Sequence, residues 1–250
     1  MTTLPMNSLQ EVLTSDPFRM ACQAALALTI SHALCCSVVM YLDLSGRWRD
    51  YSMNKGRAVS FADYWKCWKS FCVDTVLLFS PFLTVCFAVN ADKISNSQDS
   101  VLVGLIKLVC GYVVGKCWAS GVHYALHFPA FYQFHRRHHR NPKTIVASAA
   151  WEDSFVEYAL MELPSFALIV LLFPTHFALH LCHFCFHGYD GAAGHSGFGG
   201  APGLLGYLFD GETHYYHHLY LTVNYAEIEF IDKVMGTHHS QRQLKSAATK

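Results

Sequence analysis

Apolar residues along this chain gather into long blocks instead of alternating or forming stripes. Residues 20–41 carry no formal charge and are long enough to cross a bilayer as one helix. Residues 71–90 form a second block, interrupted only by Asp74 near its edge. Residues 101–122 form a third, with Lys107 and Lys116 near enough to its ends to snorkel. A fourth apolar region, Leu160 to Phe186, is broken by Pro164 and Pro174. The halves around Pro174 are each about a dozen residues, too short to span alone, which predicts a hairpin that dips into the membrane and returns. Arg19 before the first block would suit a signal peptide, but no small-residue cleavage site follows, so this block reads as a retained anchor. Residues 42–70 contain Arg47, Arg49, Lys55, Arg57, Lys66 and Lys69, whereas residues 91–100 hold one lysine and two aspartates. The positive-inside rule therefore places 42–70 in the cytosol, together with His123 and everything after it. The expected fold is all-α: a multi-pass membrane helical bundle with a cytosolic, histidine-rich helical cap.

Composition agrees with this pattern. Apolar residues make up 52% and charged residues 14% of the 250, against about 25% charged in a typical soluble domain. The formal charge is zero, so nothing suggests a nucleic-acid partner held by bulk electrostatics. Cys22, Cys35, Cys36, Cys72, Cys86 and Cys110 sit inside apolar runs and read as small buried hydrophobes in a reducing or membrane setting. Cys182 and Cys185 form a C-x-x-C, but no second pair lies at zinc-ribbon spacing.

Histidine changes the picture. Fifteen of the 16 histidines lie from His123 onward. The motif H-x-x-H-H occurs twice, as His135, His138, His139 and as His214, His217, His218, and His123-x3-His127 adds a pair one turn apart. Composition alone would give about 0.06 copies of H-x-x-H-H. On a helix, positions i, i+3 and i+4 share a face, so each copy aims three imidazoles in one direction. So many neutral rings packed together cost desolvation unless they bind a metal. Eight exceed the three or four ligands of a single zinc site and suit two metals. Imidazole suits iron, zinc and copper alike. His32, His176 and His180 read as core histidines, and His238 and His239 as surface residues.

The order and spacing of His123-x3-His127, His135-x2-His138-His139, Gly194-His195-Ser196-Gly197 and His214-x2-His217-His218 resemble the fatty acid hydroxylase/sterol desaturase superfamily. Asn224-Tyr225 and the segment Asp232 to Thr237 resemble its closing segment, so the likeness runs from about residue 104 to 238. The H-S-G segment is similar to sterol C4-methyl oxidases, but the acidic residue that follows in their third box is absent here. His183-x3-His187 would match the third box of fatty acid hydroxylases instead. As third-box ligand His195 leads, then His187, then His183.

The apolar pattern predicts membrane-anchoring helices over 1–100 and a disordered tail over 241–250, and the resemblance implies a fatty acid hydroxylase-like catalytic domain over 101–240. It implies a di-iron centre (zinc can occupy such a site in recombinant material) held by His123, His127, His135, His138, His139, His187, His195, His214, His217 and His218. Its activity would be hydroxylation or desaturation of a lipid, sterol or fatty acyl, with dioxygen. The expected location is the endoplasmic reticulum membrane, with the site facing the cytosol. Asp210, Glu212 and Asp232 are candidates to orient the ligand imidazoles. The chain has no dinucleotide fingerprint, no C-x-x-C-H and no fused cytochrome b5 motif. The resemblance implies a separate cytochrome b5-type or ferredoxin-type electron donor. Competing classes are a histidine-rich membrane metal transporter, a non-catalytic metal-binding membrane protein and a zinc-dependent lipid hydrolase.

Overall fold

The computed structural model describes residues 16–54, 58–141, 143–226 and 228–240. The tail expected from residue 241, and Lys55 and Arg57 of the basic loop, lie outside the described residues. The long helices are α1 (Asp16–Ser45), α2 (Phe61–Ser95) and α3 (Val101–Leu126). The short α4 (Tyr132–His135) is followed by α5 (Phe155–Leu172) and α6 (Phe177–Gly194). Short helices α7 (Gly203–Leu208), α8 (Glu212–Tyr220) and α9 (Glu229–Met235) complete the order. Among the described residues there is no strand, only an isolated bridge between Ser52 and Phe198. Helices α1, α2, α3 and α5 are long and apolar enough to cross a membrane.

Two prolines lie inside these helices without ending them. Each follows a π-helical turn, Thr75–Phe79 before Pro81 and Tyr158–Glu162 before Pro164. Proline lacks an N–H and crowds the carbonyl four residues back, and a wider turn makes room for its ring. The carbonyl that Pro164 cannot serve is that of Leu160, and it accepts from the Trp118 indole of α3 at 2.8 Å. The apolar arm therefore begins at Phe155, well before Pro164.

This deepens the expected hairpin. Its arms, α5 and α6, are 18 residues each, about 27 Å at the helical rise. The turn at Pro174 reaches the far end of the bundle. There Lys107 Nζ lies 2.7 Å from Asp99 and 3.0 Å from the Pro174 carbonyl, and His176 Nε2 lies 2.8 Å from the Asp99 carbonyl. The Asn90 amide donates to the Val170 and Leu171 carbonyls at 3.0 Å each, covering the exposed end of α5. Residues 96–100 and the Pro174 turn thus share one end, and the histidine boxes lie at the other.

Close backbone contact holds the helices together. A Cβ on Gly115 of α3 would lie 2.7 Å from the Ser165 carbonyl of α5, and one on Gly111 would lie 2.5 Å from Ile169. A Cβ on Gly188 of α6 would meet the Leu28 carbonyl of α1 at 2.4 Å. Small residues allow this approach where lipid offers no hydrophobic drive between helices. Phe79, Phe166 and Phe184 fill the centre, their rings 4.9–5.9 Å apart. Two sequence expectations change. Cys22 and Cys110 face outward, because their turns lie on the outer side of α1 and α3. Lys116 does not snorkel; it is buried and paired with Asp190 at 2.7 Å.

Candidate metal centre

Nine of the ten histidines singled out in the sequence come together at one end of the bundle. His123, His127, His135, His139 and His217 form one group, and His138, His195, His214 and His218 a second; within each, one nitrogen per ring lies within 4.8 Å of all the others. The groups are adjacent, with the His139 and His218 rings 4.4 Å apart. Each H-x-x-H-H box divides its ligands instead of aiming all three one way. From the first, the i, i+4 pair His135 and His139 joins one group and His138 the other; from the second, His214 and His218 join one and His217 the other. The first box achieves this by breaking its helix: α4 ends at His135, and a 3-10 turn carries His138 and His139. The second lies on the continuous α8.

The tenth histidine, His187, stands apart from both groups. Its ring meets that of His183 edge to face at 4.4 Å, beside Tyr112 and Phe166. It lies on α6 about two turns before His195, deeper in the apolar bundle, so its ring cannot reach the same centre. His195 lies just past the end of α6 and turns back into the second group.

Protein acceptors fix the rings. Nδ1 of His123 lies 2.6 Å from the Tyr225 carbonyl, and that of His217 lies 2.8 Å from the Val223 carbonyl. Nδ1 of His195 lies 3.0 Å from the Gly191 carbonyl, and that of His135 lies 2.5 Å from Glu157 Oε1. His138 Nδ1 faces Asp153 at 3.4 Å. With the proton held on Nδ1, the Nε2 lone pairs point inward. Successive Nε2 atoms lie 2.8–3.2 Å apart across His135, His139 and His217, and 2.9–3.2 Å apart across His138, His195, His214 and His218. Nitrogens bound at about 2.1 Å and at right angles around one ion would be about 3.0 Å apart. Nε2 of His123 and of His127 is buried without a partner. The donor set fits two metal ions, one per group.

Burial, and then the charge of neighbouring imidazoles, drives the ring pKa values down. His127 is lowered to about 4, and His139, His214 and His218 lie well below their ordinary value. At neutral pH these rings are uncharged, as metal binding requires. Burial, then the neighbouring Glu157, pushes the Asp153 carboxyl up.

The carboxylates on the site are not those expected. Asp210 accepts from the Glu212 backbone, and the Glu212 side chain lies beside Gly199. Asp232 accepts from Ala226 N at 3.0 Å and from Thr237 at 2.5 Å. That Ala226 N–H belongs to the same peptide as the Tyr225 carbonyl, so Asp232 acts on His123 at one remove. The carboxylates beside the clustered rings are Glu157, which accepts from His135, and Asp153, which faces His138. The sequence held two signals for them: the S-x-x-E capping box of Ser154 and Glu157, and acidic residues at the mouth of an apolar run. The Val223 and Tyr225 carbonyls come from the loop after α8, which Leu221 and Asn224 turn with left-handed backbones (φ 58° and 52°).

Residues 108–237, just over half of the chain, match the fatty acid hydroxylase family. The chain belongs to that family. No curated protein and no solved structure matches it. Family members are oxidoreductases in general and typically depend on metal, and the histidine end of this bundle carries a cluster that could bind it.

Proposed function

We propose that the chain is a membrane-bound di-iron oxygenase that hydroxylates or desaturates a lipid. The observation that carries this reading is the pair of imidazole groups, side by side and buried, at one end of an apolar bundle. His123, His127, His135, His139 and His217 would hold one iron, and His138, His195, His214 and His218 the other. When bound, the irons supply the activation of dioxygen that lets an unactivated C–H bond be oxidised. The protein's own part is to fix the rings through Glu157 and three backbone carbonyls, with Asp153 facing His138, and to keep bulk water off the centre. His135 and His217 are fully buried. A cavity of about 250 Å³ leads from Lys66, Arg140 and Asn141 at its rim to His138 and His218. It gives small solutes a route to the second group from the polar side. Electrons come from a separate donor, of cytochrome b5 or ferredoxin type.

The basic loop after α1 supports a cytosolic position for the histidine end, in the endoplasmic reticulum membrane. The test is metal analysis of protein purified from its membrane, together with dioxygen consumption in the presence of a reductant and a lipid extract. Two irons per chain and lipid-dependent consumption are expected. Tightly held metal with no consumption under any lipid would leave a structural or transport site and refute the oxygenase.

A further inference from the structure

The two H-x-x-H-H boxes differ in what stands between their histidines. In the second these positions hold Tyr215, which is buried, and Tyr216. In the first they hold Arg136 and Arg137, and with the rings turned inward both arginines are exposed. Arg137 donates to Ser70 Oγ at 2.6 Å, which joins the box to the first turns of α2. Those turns have two faces. Phe61, Tyr64, Trp65 and Trp68 line an apolar hollow against Ala33 and Met40 of α1, and the stacked Phe61 and Trp65 rings are exposed. Asp63, Lys66 and Cys67, on the other face, line the cavity that descends to His138 and His218. Exposed aromatic rings beside an apolar span sit at the membrane–water boundary, so the Lys66 face opposite them is turned to water.

Cations collect around this mouth. Lys66, Lys69, Arg136, Arg137 and Lys143 are all exposed; Lys69 precedes Ser70, and Lys143 precedes Thr144 of the cavity wall. Arg140 at the rim is neutralised by Glu152. Against the five exposed cations stand Asp63, which accepts from the Ser60 N–H at 2.9 Å, and Asp74 near Arg137. The rim therefore keeps an excess of positive charge, and a charged rim around a cleft steers and holds a partner of opposite sign. Lipid headgroups lie on the aromatic side of α2, away from it. An acidic protein can lie over the mouth and bring a redox group to the side of His138 and His218 that faces the cavity.

We propose that Lys66, Lys69, Arg136, Arg137 and Lys143 form the docking face for the acidic surface of a one-electron carrier protein, seated over the cavity that ends at His138 and His218. The assignment rests on the oxygenase reading for its purpose, but its test needs no turnover. Protein in phosphatidylcholine nanodiscs is titrated at low and at physiological salt with the soluble haem domain of a cytochrome b5, and in a second arm with a plant-type ferredoxin. Each carrier is also tested after its surface carboxylates have been amidated. Equilibrium binding is read by fluorescence anisotropy of the labelled carrier. Carbodiimide cross-links, which join lysines to carboxylates in contact, are then mapped.

One carrier binds, its affinity falls as salt rises, and amidation abolishes the binding; the arm that binds identifies the carrier type. Lys66→Gln/Lys69→Gln weakens binding about fivefold, as expected for the loss of two exposed charge pairs. Arg47→Gln/Arg49→Gln removes the same charge beside a different cavity and changes binding less than about twofold. Cross-links fall on Lys66, Lys69 or Lys143. No binding in either arm, equal losses in the two double variants, or cross-links confined to Lys233 overturns the proposal. So does undiminished affinity in Lys66→Gln/Lys69→Gln; if that variant also retains less phosphatidylserine through purification from its membrane, the face belongs to lipid headgroups. Docking with every expected dependence but no lipid-dependent dioxygen consumption would instead sink the oxygenase and leave the docking face standing.

Discussion

Replacing Glu157 by glutamine tests how the protein holds its first imidazole group. Glu157 Oε1 lies 2.5 Å from His135 Nδ1, and both side chains are buried to within 1%. Glutamine keeps the length and, with its one acceptor oxygen on the His135 Nδ1–H, loses the charge and turns its amide nitrogen toward the Ser154 N–H from which Glu157 Oε2 now accepts. A hydrogen bond to a charged group contributes about 1.5–3 kcal/mol and a neutral one about 0.5–1.5. The loss is therefore about 1–1.5 kcal/mol, or five- to fifteenfold in metal affinity. Alanine leaves the His135 N–H unpaired in a buried site and should cost nearer a hundredfold. The effect is confined to the group containing His135. The assay is titration of metal-free protein in nanodiscs with ferrous iron against a competing chelator, which separates a weakened site from an unchanged one. Wild-type affinity at both sites in Glu157→Gln would refute the reasoning, as would a larger loss at the site containing His195.

Further outcomes follow from the same geometry. His195→Ala should lower metal content to about one ion per chain and abolish turnover, whereas His187→Ala should keep both ions, as read by elemental analysis. A glycosylation acceptor placed at residue 95 should be modified in the endoplasmic reticulum and one at 145 should not; the reverse pattern would invert the orientation. Burial holds the folded-state pKa of His127 at about 4, below the ordinary 6.5. Between those values the unfolded chain binds more protons, so the metal-free protein loses stability as pH falls from about 6.5 toward 4. Thermal unfolding across that range should show this drop, and bound metal should reduce it. Gly115→Val places a side chain against the Ser165 backbone carbonyl, at 2.7 Å for Cβ alone. It should cost about 1–3 kcal/mol in a membrane-protein unfolding assay.

By itself the sequence determined the class of protein and most of the clustered histidines. Uninterrupted apolar blocks can be satisfied in lipid only by helices, so three of the four spans were legible from length alone, and the repeated H-x-x-H-H spacing marked the two triplets. The fourth was read as too short, because Pro164 looks like a break until Trp118, 46 residues away, is seen to serve the carbonyl that the proline leaves. Tertiary structure alone decided the division of each triplet between two imidazole groups. That division depends on where α4 stops and where α8 meets it, and helical periodicity carries no information on either. It also separated His187 from His195, which alone of the two joins an imidazole group: both have suitable neighbours in sequence, but they differ in depth along α6. The orienting carbonyls of Val223 and Tyr225 could not be read at all, because a backbone oxygen has no residue identity. Asp153 and Glu157 left two weak signals, the Ser154–Glu157 capping box and a place at the mouth of an apolar run, and their approach to the rings is set by the packing around the start of α5.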